Sequence, residues 1–212
     1  MLKLDTNFTY KGSRTYIHSS SLSELVAEEV VPALGLKLKD VKLDAQFHHV
    51  ATKNGAIYCQ EEARSDLDTA ADFRLAALGK IFYCYFVEEG RAAEKSPNPQ
   101  YTIENFESTS AYTGTCAIDT STPLTLLENV IEANKRLHLL AAPGKEVKVS
   151  NLYMKKFPFE MVAKNAKLSA LEIRHIGSRR HKNGIATINE LFFAKIPEST
   201  FQMCYYVEGV GA

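Results

Sequence analysis

Apolar residues recur along this chain at two spacings. In LSELVAEEVVPALG (residues 22–35), Leu22, Leu25, Val26, Val30 and Ala33 fall on one stripe at about 100° per residue, predicting an amphipathic helix over 22–34. Ser21 with Glu24 three residues on has the form of a capping box, and Gly35 is placed to end the helix. A second stripe, Leu127, Val130, Ile131, Leu137 and Ala141, predicts a helix over 123–141. Thr122 is its expected cap, with Pro123 at the first helical position and Pro143-Gly144 beyond the end.

The other apolar runs alternate with period two, as half-buried strands do. VKLDAQF, AIYCQEEA, FRLAALG and KIFYCYFVE follow the first helix. VKVSNLYM, KLSALEIRHI, GIATINELFFAKI and TFQMCYYVE follow the second. Asn54-Gly55, Gly79, Asn183-Gly184 and Pro197 are the expected turns between them.

The pattern occurs twice. Tyr10, Gly12, Ser19, Leu22 and Leu25 match Tyr112, Gly114, Ser121, Leu124 and Leu127. KDVKLDAQF (39–47) matches KEVKVSNLY (145–153), and CYFVEEG from Cys84 matches CYYVEGV from Cys204. The anchors keep their order while their offset grows, as insertions in a duplicated unit would make it. An α+β chain of two tandem copies follows: 1–90, a polar, proline-bearing linker over 91–105, and 106–212.

Composition narrows the function classes. Lys+Arg and Asp+Glu both number 25 in 212 residues, so the chain lacks the basic footprint of a nucleic-acid binder or a membrane-surface protein. No apolar run approaches the ~18 residues of a membrane span, and the N-terminus has no apolar signal core, so a cytoplasmic protein is expected. Cys59, Cys84, Cys116 and Cys204 lack C-x-x-C spacing and are expected as buried free thiols. No His, Cys and carboxylate spacing suggests a metal, and no cofactor is expected.

A strand, a helix and about four antiparallel strands, said twice, resembles the hotdog fold, in which a curled antiparallel sheet wraps a central helix. PLTLLENVIEANKRLHLL is similar to the central helix, and VKVSNLYMKKFPFE to the strand after it in hotdog dehydratases and thioesterases. The polyketide dehydratase motif His-x-x-x-Gly-x-x-x-x-Pro is absent. The resemblance implies a pseudo-dimeric double hotdog, itself able to oligomerise, whose partner is an acyl group on coenzyme A or an acyl carrier protein. Dehydration of a 3-hydroxyacyl thioester is the first reaction it implies, and thioester hydrolysis the alternative. Acyl transfer, decarboxylation and a non-catalytic acyl-binding or scaffold role remain open.

Candidate residues follow from position. Glu29 falls inside the first apolar stripe, opposite Ile131 of the second copy. A carboxylate there is costly unless neutralised or paired, which suits proton transfer. His18 precedes the first helix, near the place where hotdog dehydratases keep a histidine, and is expected to share acid and base roles with Glu29. Asn134 lies within the second stripe and could hold a carbonyl or a water. Asp119, in the turn before the second helix, is nominated as a second catalytic carboxylate, with a turn residue as the alternative. Glu128 and Glu132 are expected in solvent. His48 and His49 straddle a strand, so only one can face inward, and neither is nominated. In SRRHKNG, Arg179, Arg180 and Lys182 form a basic hairpin tip suited to phosphates or an acidic carrier.

Overall fold

The computed structural model describes residues 1–10, 14–95, 106–110, 113–116, 125–141, 148–158, 171–181, 184–193 and 196–208. The chain divides into two compact units, Met1–Tyr101 with Pro158–Ala163, and Thr102–Phe157 with Lys164–Ala212.

Unit one contains β1 (Leu2–Asp5), β2 (Thr9–Tyr10), a helix, then β3 (Lys42–Phe47), β4 (Lys53–Gln60), β5 (Ala71–Ala77), β6 (Lys80–Ala92) and β7 (Glu94–Lys95). β6 and β7 thus enter the stretch expected as linker, whose residues 96–105 lie outside the described ones. The antiparallel ladder runs β1-β4-β6-β5-β3, while β2 and β7 form a separate parallel pair. Unit two contains β8 (Phe106–Ser110), β9 (Thr113–Cys116), a helix (Leu126–Ala141), β10 (Lys148–Pro158), β11 (Leu171–His181), β12 (Gly184–Phe193) and β13 (Ile196–Glu208). Its antiparallel ladder runs β8-β9-β11-β12-β13-β10.

The order of elements along the chain is therefore shared, but the order across the sheet is not. The strand after the helix is β3 in one unit and β10 in the other, matching the second repeated segment. The third repeated segment lies in β6 and β13, both of which pair on two sides. The difference is an exchange: β4 pairs with β6, whereas its counterpart β11 pairs with β12. Chain length explains how this is reached. β11 and β12 stay paired as far as His181 opposite Gly184, which makes them neighbours, whereas residues 61–70 between β4 and β5 can step past a strand spaced about 4.8 Å away. The expectation of one topology in both copies is corrected accordingly. Tyr10 lies in β2, outside the main ladder, and its expected counterpart Tyr112 lies outside the described residues.

The first helix starts at Ser19, earlier than its stripe predicts. It is α-helical over Ser19–Leu25, widens to a π turn over Val26–Val30 and returns to α over Val31–Ala33. Pro32 lies directly beyond the wide turn. Its ring crowds the carbonyl four residues back and it donates no N–H, which an added residue per turn accommodates. The Val31 N–H accordingly reaches Val26 O. Gly35, at φ 70°, closes the helix: its N–H bonds Pro32 O at 2.9 Å and Leu36 N–H bonds Val31 O at 3.0 Å.

Unit one buries Leu43, Ile57, Phe73, Leu75 and Phe86 completely; Leu127, Met154 and Tyr205 do the same in unit two. Cys59, Cys84 and Phe73 stand in register across β4, β6 and β5. Cys59, Cys84 and Cys204 are buried and free, as expected. Leu78 and Gly79, at φ 53° and 77°, make the tight β5–β6 turn. Asn54-Gly55 is not a turn. It lies inside β4, where the register against β6 shifts, and Asn54 ties down the chain after β1 by accepting from the Phe8 N–H at 2.5 Å.

Candidate functional site

His18 stands at the cap position of the first helix, where its carbonyl accepts the Leu22 N–H at 3.2 Å. Its side chain does not cap the helix. The half-buried ring instead lies along Tyr16, with centroids 6.1 Å apart, and its Nδ1 is 3.0 Å from Ser20 Oγ. The Ser21–Glu24 capping box is not formed, because Ser19–Ser21 already lie in the first turn.

Glu29 is exposed, contrary to the buried position expected from the stripe. The π turn is the reason. Buried residues recur in pairs four apart, Leu22 and Ser23, Val26 and Ala27, Val30 and Val31, so Glu28 and Glu29 fall on the opposite face. Sharing of acid and base roles between Glu29 and His18 fails on distance as well. Eleven residues of helix separate them, about 16 Å of axis.

The second helix carries a different cluster. Its capping box is Thr125 with Glu128: Thr125 N–H donates to Glu128 Oε2 at 2.8 Å, and Glu128 N–H to Thr125 Oγ1 at 3.2 Å. Glu128 is therefore buried, not solvated as expected. Thr122 and Pro123, the predicted start, lie outside the described residues, as do Asp119 and Lys182.

Asn134 and His138, one helical turn apart, face β12 and β13. Asn134 is completely buried, and its Oδ1 accepts from Asn189 Nδ2 at 3.0 Å. The Asn189 Oδ1 lies 3.1 Å from Nδ1 of His175, which sits beside a bulge in β11. Among the described residues Asn134 Nδ2 is the one buried side-chain nitrogen or oxygen without a hydrogen-bond partner.

His138 completes the cluster, with Nδ1 2.7 Å from Asn134 O and Nε2 2.7 Å from Thr187 Oγ1. Burial lowers its pKa and favours the neutral ring, against the raising effect of the Asn134 carbonyl. A carbonyl only accepts, so the proton of the neutral ring sits on Nδ1; the one proton of the Thr187 hydroxyl, 3.3 Å from Tyr205 O, then goes to Nε2 at the shorter distance. The ring packs on Tyr205, 5.5 Å between centroids, and burial holds that phenol well above its usual range.

A pH dependence follows. Unfolded, this histidine titrates near 6.5; folded, below it. Between the two values the unfolded chain binds more protons, so stability falls as pH drops below about 6.5 and does not change above it on this account. Urea midpoints from pH 8 to 5 are expected to fall less steeply in His138→Phe than in the wild type. Parallel profiles would show that His138 does not carry the acid sensitivity.

Of the nominated residues, Asn134 alone joins this cluster. Sequence reading missed His138, His175, Thr187 and Asn189. The i, i+4 spacing of Asn134 and His138 was a usable signal; β12 pairing was not visible. Arg179 and Arg180 are exposed, as expected, but stand on β11 opposite Ala186 and Ile185 rather than in the turn. Adjacent strand residues point to opposite faces, so they do not form one fork.

No family model matches this sequence, and no curated protein does. Solved structures do. One is a hot dog fold protein of unknown function from Alicyclobacillus acidocaldarius, 9% identical, covering 99% of this chain and 94% of that one at a TM-score of 0.48. The chain resembles hotdog-fold proteins. A dehydratase domain of a mycocerosic acid synthase-like polyketide synthase is 12% identical, covering 99% and 90% at a TM-score of 0.42. The dehydratase domain of RzxB from Pseudomonas fluorescens is 10% identical, covering 97% and 92% at 0.40. Likeness at this level concerns the path of the chain and carries no chemistry to it. Among the described residues, no helix is long and apolar enough to cross a membrane.

Proposed function

We propose that this chain is a diverged double hotdog that acts on acyl thioesters of coenzyme A or a carrier protein, dehydrating a 3-hydroxyacyl group. The repeated order of strand, helix and four strands supports the duplication. The observation that carries the functional part is the orphan amide of Asn134. A buried N–H without an acceptor costs about 1–3 kcal/mol, and a ligand carbonyl oxygen would relieve that cost. Within unit two, Asn134 Nδ2–H is assigned to the thioester carbonyl; Asn189 holds the carboxamide through its Oδ1, and His138 meets the backbone carbonyl of the same residue. Polarising that carbonyl acidifies the C2 proton, whose removal expels the 3-hydroxyl as water. His18 is carried as a separate candidate for proton transfer.

The experiment is incubation with 3-hydroxyacyl thioesters of coenzyme A and of a carrier protein, followed by mass detection. Loss of one water is expected. Asn134→Ala is expected to lower the rate by 10²-fold or so, as loss of an oxyanion donor does. His18→Gln should lower it by a similar factor if His18 transfers protons. The double change Arg179→Ala, Arg180→Ala should weaken substrate affinity and leave the melt unaltered. Free thiol in place of water would assign hydrolysis, and unchanged substrate with retained binding would assign a scaffold.

A further inference from the structure

Residues 61–70, the connection that lets β4 and β5 lie apart, also build a cleft in unit one. Its volume is about 340 Å³, at the small end for small-molecule sites. It is lined by residues of that connection together with His48, Asp72, Tyr85 and His49, whose Nε2 lies 3.1 Å from Glu88 Oε2. In unit two the corresponding strands, β11 and β12, pair directly, so duplication does not account for the cleft.

His48 and His49 are not in a strand; they follow β3, and both are exposed. His48 Nε2 lies 2.8 Å from Asp72 Oδ2. The other Asp72 oxygen accepts the Thr69 hydroxyl at 2.6 Å, and the His48 N–H donates to Ala70 O at 2.9 Å. Side chain and backbone are thus both held. A carboxylate only accepts, so the neutral ring carries its proton on Nε2 and its lone pair on Nδ1. That is an oriented general base with about a third of its side chain open to water.

A hydrogen-bond donor lines the same cleft. The Tyr85 phenol oxygen accepts the Arg64 N–H at 2.6 Å. Among the described residues nothing takes the phenol's own proton. Charge selects the ligand. The Arg64 guanidinium is held by Asp66, with Nε 2.9 Å from Oδ1, so with the His48 ring neutral the lining keeps the negative charges of Asp68 and Asp72. Anions, phosphate-bearing thioesters included, are disfavoured there.

We propose that this cleft hydrolyses small uncharged carboxylic esters, with His48 as general base, Asp72 as its positioning residue and Tyr85 as donor to the carbonyl oxygen. His48 Nδ1 takes a proton from water as the water oxygen bonds to the carbonyl carbon. The carbonyl electron pair moves to oxygen, against the Tyr85 O–H. Its return breaks the bond to the alcohol oxygen, which receives the proton from His48. Water and ester give acid and alcohol, and His48 is regenerated.

The test is release of p-nitrophenolate from neutral p-nitrophenyl acetate and from the anionic p-nitrophenyl hemisuccinate. Saturable hydrolysis is expected, with kcat/KM at least tenfold higher for the acetate. His48→Gln should lower it by about 10²-fold. Asp72→Asn should lower kcat with KM little changed, a split that loosening of the cleft would not produce. Tyr85→Phe should also lower kcat. Circular dichroism melts check that each variant folds. A rate strictly linear in ester, or a folded His48→Gln as fast as the wild type, overturns the proposal. Neither result bears on the thioester reading, which uses other residues and another substrate.

Discussion

Gly55→Ala is expected to destabilise the protein by about 3 kcal/mol, at the upper end of what overpacking costs. Gly55 lies inside β4 at the shift in register against β6. A Cβ there would overlap the Val87 carbonyl oxygen and reach within 2.8 Å of its carbon and 2.9 Å of Glu88 Cα. All three are backbone atoms, so no side chain can swing aside. The other side is occupied too: Gly55 N–H donates to Thr6 Oγ1 at 2.9 Å, and Thr6 N–H to Gly55 O at 2.8 Å. The strands must part, with loss of ladder hydrogen bonds on one edge. Urea denaturation is the measurement, with a lower midpoint and an unchanged slope as the expected result. A change within 0.5 kcal/mol or so would show that β6 yields at this point.

The second large effect is an asymmetry between two asparagines in contact. Asn189→Leu is expected to cost about 3 kcal/mol, because it strands the whole carboxamide of fully buried Asn134 and removes the partner of His175 Nδ1. Asn134→Leu should cost only about 1 kcal/mol. It strands the Asn189 amide but also removes an N–H that was already unpaired. The double variant should lose less than the sum, since replacing both partners with apolar groups leaves little to satisfy. Chemical denaturation of all four proteins closes the cycle. Equal costs for the two single changes would mean that Asn134 Nδ2 is satisfied in solution, and the case for a ligand carbonyl at that amide would fall. If the amide serves a substrate, Asn134→Leu combines a small stability change with loss of turnover.

Much of the fold was legible because it depends on neighbours in sequence. Period-two runs became β3–β6 and β10–β13, and the second stripe became the buried face of the second helix. Gly35 and Gly79 stand where a left-handed residue is required, which only a local conformation needs to specify. The first helix shows the limit. Its stripe was placed at a uniform 100° per residue, and one wide turn ahead of Pro32 moved Glu29 to the water side. The proline was in plain view, but its effect on the hydrogen bonds around it depends on how the helix relieves the crowding. Asn54-Gly55 shows another limit: the pair suits a tight turn, and a register shift between strands far apart in sequence used its small size differently.

By itself the amino-acid sequence determined the alternation of elements, the burial of Cys59, Cys84 and Cys204 and the position of Asn134 on an apolar stripe. All of these rest on spacing between residues less than about a helix or a strand apart. Tertiary structure alone decided which strands are neighbours. Residues 61–70 are long enough to permit either order, and no local rule chooses between them. It also decided which polar groups meet. Asn134 with Asn189, His138 with Thr187 and His48 with Asp72 are joined by hydrogen bonds across 24 to 55 residues of chain. Such bonds form only after the backbone is in place, so their chemistry is a property of the folded molecule.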